Sequence, residues 1–309
     1  DTLSGDAWNI AQVICATSRW GAQQKTPWDI MSYATPESRS LANRYSLQRT
    51  LQEGAVTMAA GGVWFAWTFS GGKVPPWGVE VTRHMAEFTR DRAPALGPSV
   101  SASQVAVLDS ETSWRLSNRG DPDRPVFTVL RSLQEARYAT DVVNEEAYLA
   151  HTTPYEIVIL PEGRVLASRT LTDLRRFVER GGLLLVMGEG LRGRRAQESA
   201  EAVALLGLRR EEQPEAKPVP LQIGGRLHHI VGTWPVELVG AEVVSTFADG
   251  RPALTRNRVG QGTVAYLATG GLIYPDDGLL AAALASLGKG PSYAVEGVGD
   301  APVVCSLRT

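Results

Sequence analysis

Between residues 105 and 287, short apolar runs alternate with amphipathic stretches. That rhythm restricts the chain to an α/β architecture with a mostly parallel sheet. Residues 105–108, 155–160 and 183–187 are almost wholly apolar, as strands are when both faces of a parallel sheet are covered. Residues 141–143 read as a further short strand. Between these runs the spacing turns helical. Over 125–138, Phe127, Leu130, Leu133 and Ala136 form one stripe. Over 170–180, Leu171, Leu174, Phe177 and Val178 do the same, and Gly181-Gly182 is the stop. Helices are also predicted over 197–206 and 279–287. Residues 242–247 and 253–256 alternate around a turn, and Gly260-Gln261-Gly262 leads into a strand over 263–267. The Glu- and Pro-rich stretch 209–235 shows no period.

The first 98 residues have a different character. Six of the eight tryptophans lie there: Trp8, Trp20, Trp28, Trp64, Trp67 and Trp77. A helix over 8–20, a strand over 28–33, a helix over 39–60, a strand over 63–69 and a helix over 78–90 follow the grammar of parallel βα units. Residues 92–99 carry two prolines, a glycine and no period, so they read as a linker. Three regions result: 1–97, 100–290, and a tail at 291–309 expected to begin a β segment.

Composition closes several routes. A net charge of −2 offers no footprint for nucleic acid. The local runs Arg192, Arg194, Arg195 and Arg209, Arg210 read as solvated surface. No apolar run reaches the ~20 residues of a membrane helix, and the opening Asp1-Thr2-Leu3-Ser4 is not a signal peptide, so a cytoplasmic location is expected. Cys15 and Cys305 stand far apart without a histidine nearby, which points to neither a disulfide framework nor a metal site. No cofactor is called for.

Three constellations invite chemistry. Gly188-Glu189-Gly190-Leu191-Arg192-Gly193 has a G-x-G-x-x-G spacing after a strand. Glu189 stands where an anion would meet the backbone, and no acidic ribose partner follows at the right distance. The same turn is where a nucleophile elbow would lie in a glutamine amidotransferase-like domain, but no cysteine occurs between residues 16 and 304. His228-His229 on a strand would point to opposite faces and could not chelate one metal together.

In the first region Asp6 and Asp29 are the candidate catalytic carboxylates. Asp6 reads equally as a helix N-cap, and Asp29 equally as a structural carboxylate that starts a strand. Trp28, Tyr33 and Trp67 are candidate sugar-stacking residues, with core packing as the other reading. Along 63–69 Trp64 and Trp67 fall on opposite faces.

Three stretches carry a family resemblance. Residues 155–161 (YEIVILP), the helix ending Phe177-Val178-Glu179-Arg180-Gly181-Gly182 and the strand 183–186 resemble the middle domain of family 42 β-galactosidases. So does 247–269 (FADGRPALTRNRVGQGTVAYLAT). That domain is a flavodoxin/amidotransferase-like fold without the catalytic cysteine, known as the trimerisation domain. Residues 27–33 (PWDIMSY), with Gln52-Glu53-Gly54-Ala55 and Gly61-Gly62, look like the last strands of the (β/α)8 barrel in related α-L-fucosidase-like hydrolases. The resemblance implies a C-terminal part of a glycosidase barrel followed by a trimerisation-type domain. It also implies a carbohydrate substrate, and a homo-oligomer or a complex with the rest of the barrel. A barrel takes ~250 residues, so about five βα units are expected outside this chain, and no family catalytic residue can be carried onto a numbered position.

Overall fold

The computed structural model describes residues 29–33, 55, 63–67, 76–92, 94, 101–110, 112–113, 125–151, 154–161, 163–193, 198–230, 232–269 and 278–297. The chain divides into two compact units, residues 1–101 with 308–309, and residues 102–307.

In the first unit, β1 (Asp29–Tyr33) and β2 (Val63–Trp67) are parallel neighbours, in register from Asp29 opposite Val63 to Tyr33 opposite Trp67. Helix α1 (Pro76–Arg92) opens on a proline, whose missing N–H costs nothing in a first helical turn. It closes on Arg90 and Arg92, cations at the negative end of the helix dipole. The helix expected over 8–20 lies outside the described residues, as does that over 39–60 except at Ala55, which is helical.

The second unit builds one sheet in sequence. β3 (Val105–Asp109) is followed by α2 (Pro125–Glu135), β4 (Thr140–Asn144) and α3 (Glu145–Ala150). α3 has six residues, too few to show a period, and was not legible in sequence. Asn144 caps it, accepting from the Ala147 N–H at 2.7 Å. Then come β5 (Ile157–Leu160), α4 (Ser168–Glu179), β6 (Leu183–Met187) and α5 (Ala200–Leu206). Helix α2 ends before Tyr138, and Arg137 at φ 67 turns the chain there.

The stretch without a period and its two flanks hold four short strands: β7 (Leu208–Arg210), β8 (Val219–Ile223), β9 (Arg226–Ile230) and β10 (Val236–Leu238). β8 and β9 form a hairpin through Gly224-Gly225, both at positive φ, which matches the twist of the flanking strands. β10 pairs with β7, so that pairing joins residues far apart in sequence. β11 (Glu242–Thr246), β12 (Pro252–Val259), β13 (Gly262–Leu267) and α6 (Leu279–Ser286) complete the unit. Residues 291–297, where a β segment was expected to begin, make turns and bends and no strand; 298–309 lie outside the described residues.

The seven-stranded sheet runs β11-β12-β13-β6-β5-β3-β4. β4, β3, β5, β6 and β13 are parallel, and β12 and β11 extend them with antiparallel pairings. The parallel part has the strand order of a flavodoxin-like sheet, and right-handed crossovers put α2 on one face and α3 and α4 on the other. α2 packs with α6, and α3 with α4. Residues of β5 and β6 are at most 3% exposed, as continuous apolar runs require. Each such side chain contributes roughly 1.5–3 kcal/mol relative to exposure. No described helix is long and apolar enough to cross a membrane.

The Gly260-Gln261-Gly262 turn seats the end of α4. Gln261 N–H donates to Glu179 O at 3.0 Å and Thr263 N–H to Gly182 O at 3.1 Å. A Cβ on Gly262 would lie 2.1 Å from Val178 O and 2.4 Å from Gly182 O, two backbone atoms that cannot yield cheaply. Gly240, with nothing within 4 Å of a Cβ, has no such constraint. Gly262→Ala should therefore lower unfolding free energy by about 3 kcal/mol or more, and Gly240→Ala by no more than ~0.5 kcal/mol, as read from denaturant midpoints.

Candidate functional site

Ligands of open α/β sheets bind outside the carboxyl ends of the strands, above all where the strand order reverses. Here the reversal lies between β3 and β5. Ser110, just past β3, donates to Glu145 Oε1 at 3.0 Å, and Ser113 donates to Val165 O at 2.8 Å. Val165 N–H returns a bond to Ser113 Oγ at 2.8 Å. Ala167 N–H and the Thr170 hydroxyl both donate to Glu145 Oε2, at 2.9 and 3.0 Å. Glu145 thereby ties the start of α3 to the start of α4. Among the described residues at this switch point the polar side chains satisfy one another's hydrogen bonds.

The second expected place is the turn after β6. Its amides are spent internally: Gly190 N–H bonds Met187 O at 2.9 Å, Leu191 N–H bonds Gly163 O at 2.8 Å, and Arg192 N–H bonds Glu189 O at 3.1 Å. No amide row is left to cradle a phosphate, and Glu189 pairs with Arg164 at 3.4 Å. The elbow position holds Gly188 and Glu189, and two arginines from outside the Gly188–Gly190 turn pack against it. Arg210 is buried and forms an ion pair with Glu198. Its Nη1 donates to Gly188 O and Gly190 O, at 2.8 and 2.7 Å, pinning the turn from beneath. Nη2 meets no acceptor among the described residues. Arg192 is 2% exposed, donates to Glu211 O at 2.6 Å, and lies over the Trp234 ring at 4.4 Å. Burial, and after it the nearby Arg210, pushes the Arg192 guanidinium below its ordinary pKa. Tyr266 donates to Gly188 O at 3.0 Å, and burial raises its phenol pKa.

This corrects the surface reading at Arg192 and Arg210; Arg194 and Arg195 lie outside the described residues. Arg209 is exposed, but Arg192 and Arg210 are structural cations inside the domain, because β7 alternates and sends Arg210 inward. The partner Glu198 sits twelve residues earlier in a loop, beyond any local spacing signal.

The most family-like stretch is also structural. Gly250 at φ 87 turns the chain, and Asp249 accepts from Arg251 Nε and Nη2 at 2.8 and 2.7 Å. Arg251 bridges on to Glu215 at 2.8 Å. These hydrogen bonds hold the Asp249 carboxyl below the usual carboxylate range. His228 is 5% exposed and His229 exposed, on opposite faces of β9 as the alternation requires. No cluster of three metal-ligating side chains occurs among the described residues.

In the first unit the strand register places the sequence candidates. Tyr33 and Trp67 are register partners at the carboxyl ends of two adjacent parallel strands. Asp29 begins β1, roughly 13 Å away along the strand at ~3.3 Å per residue and at its amino end. Barrel enzymes carry their chemistry at the carboxyl ends. Asp6 and Trp28 lie outside the described residues.

No family model matches the chain. The β-galactosidase BglY of Alicyclobacillus acidocaldarius is 26% identical and aligns with 60% of this chain and 30% of its own length. The chain thus spans about a third of that relative. Among solved structures, a GH42 β-galactosidase from G. stearothermophilus superposes with a TM-score of 0.58 at 18% identity, over 70% of this chain and 37% of its own. An α-L-fucosidase isoenzyme 2 from Paenibacillus thiaminolyticus gives 0.64 at 15% identity, over 88% of this chain and 46% of its own. The fold likeness to the fucosidase extends beyond the α/β unit. Over about 60% of its length the chain is thus similar in sequence to a β-galactosidase, and its fold is similar to that of a GH42 β-galactosidase.

Proposed function

We propose that this chain is part of a glycoside hydrolase of β-galactosidase-like or α-L-fucosidase-like type. In this reading residues 1–97 contribute barrel strands, and residues 100–290 form a non-catalytic domain that makes subunit contacts. The observation that carries the reading is the pairing of Tyr33 with Trp67 at the carboxyl ends of neighbouring parallel strands. Register partners share a face of the sheet, so two aromatic positions meet at the rim where a barrel enzyme receives its substrate. The homology to β-galactosidases supports a sugar as the ligand. A glycosidase needs two carboxyl groups held ~5–9.5 Å apart, and Asp29 stands at the wrong strand end for that. The chain alone should therefore bind a sugar weakly without cutting a glycoside. Purified protein should release no nitrophenol above background from aryl galactosides or fucosides, while galactose or fucose quenches tryptophan fluorescence and Trp67→Ala abolishes the quench. Turnover that Asp29→Asn or Asp6→Asn removes would overturn the reading, as would unchanged sugar binding by Trp67→Ala.

The second reading is a scaffold module without any sugar site, favoured by the internal hydrogen bonding of the described polar groups at both expected ligand places in the α/β unit. Both readings assign subunit contacts to that unit. Light scattering at micromolar concentration should give a multiple of 33.3 kDa; a stable monomer would contradict both.

A further inference from the structure

At the amino edge of the sheet, opposite the closed elbow, the α/β unit has a cleft of about 530 Å³. That lies within the ~300–1,000 Å³ of small-molecule sites. Its walls include His151, Tyr155, Glu156, Phe177, Arg180 and Lys289. These come from the loops before β5 and β6, the end of α4 and the turn after α6.

The aromatic walls are fixed. His151 lies between Tyr148 and Tyr155, ring centroids 5.0 and 4.9 Å apart. The Tyr155 hydroxyl donates to Asp141 Oδ2 at 2.9 Å, and Ser103 donates to the other oxygen of Asp141 at 2.9 Å. The Phe177 ring rests on Gly182, where a Cβ would lie 2.3 Å from the ring. The sequence placed Phe177 on the inward stripe of α4; it is only half-buried, because it borders this cleft.

The polar groups divide unevenly. Glu156 accepts from Lys289 at 3.1 Å and from Gln104 at 3.4 Å. The Lys289 hydrogen bond leads in holding the Glu156 carboxyl below its usual range, so it is ionised at neutral pH. That pair is neutral overall. Arg180, exposed where α4 ends, forms no ion pair among the described residues. The cleft therefore offers two aromatic side chains, one donor–acceptor pair and one guanidinium outside any ion pair among the described residues.

We propose that this cleft binds a sugar ring carrying one anionic substituent, a carboxylate or a phosphate, with the ring against Tyr155 and Phe177 and the anion on Arg180. The apolar face of a pyranose suits an aromatic wall, and the guanidinium fork suits either oxyanion. Glu156 and Lys289 supply an acceptor and a donor for ring hydroxyls, contacts that an aromatic acid cannot make. A neutral sugar would leave Arg180 without a counter-charge. The inference stands apart from the proposed hydrolytic role, since every residue in it belongs to the α/β unit.

The test uses the full 309-residue chain and ligand-observed NMR titrations with glucuronate, glucose 6-phosphate, glucose, benzoate and inorganic phosphate. Glucuronate or glucose 6-phosphate should bind with a Kd of about 1 mM, the range open to a ligand of this size. Glucose, benzoate and inorganic phosphate should each bind about tenfold more weakly. Arg180→Gln, at an exposed position, should keep the melting temperature and bring the anionic sugar down to the level of glucose. Phe177→Leu should weaken anionic and neutral sugars alike. The proposal fails if neither anionic sugar binds by ~20 mM. It also fails if inorganic phosphate or benzoate binds as well as they do, or if Arg180→Gln leaves their affinity unchanged.

Discussion

The α/β unit is organised around a charge that has been taken out of water. A buried guanidinium is tolerable only when paired and hydrogen-bonded, and Arg210 meets that demand through Glu198, Gly188 and Gly190. The ties join three parts of the chain: the turn after β6, the approach to α5, and β7, which carries the arginine itself. Because β7 pairs only with the short β10, the arginine does for this edge what ladder hydrogen bonds do within the main sheet. Arg192 and Trp234 stack beside it, and Tyr266 from β13 closes the same turn. The place where an amidotransferase-like fold would expose a nucleophile is thus a packed joint.

The same principle closes the switch point. Glu145 accepts from Ser110, Ala167 and Thr170, so the carboxylate that heads α3 is consumed in holding two helices at the sheet. At both expected positions on the carboxyl edge, the described polar groups are engaged within the chain. The open cleft lies at the other edge, where Gly181 and Gly182 keep the backbone low and Phe177 can lie over it.

How far this could be read in the sequence depended on where the information lay. β5 and β6 are continuous apolar runs stopped by glycine or a charged helix, and local pattern suffices for them. The Gly260-Gln261-Gly262 turn was legible as a turn, though its close approach to α4 was not, since that depends on Val178 and Gly182 arriving from elsewhere. Residues 209–235 had no visible period because the strands within them, β8 and β9, have five residues each and pair with one another outside the seven-stranded sheet. Arg192 and Arg210 resembled surface charges because their burial comes from the sheet and from Glu198, and nothing in the adjacent residues announces it. The aromatic candidates Tyr33 and Trp67 were legible singly, but their register was not, because the two strands are separated by a helix-length stretch.

If the joint at Arg210 holds this edge as described, its two charges must act as one unit. A double-mutant cycle on Arg210→Met and Glu198→Leu, followed by denaturant unfolding, measures this directly. Each single substitution strands a buried charge and should cost about 3–5 kcal/mol. The double substitution should cost much less than the sum, with a coupling of roughly 2 kcal/mol or more. Additive losses, or single losses within ~0.5 kcal/mol of zero, would contradict the account.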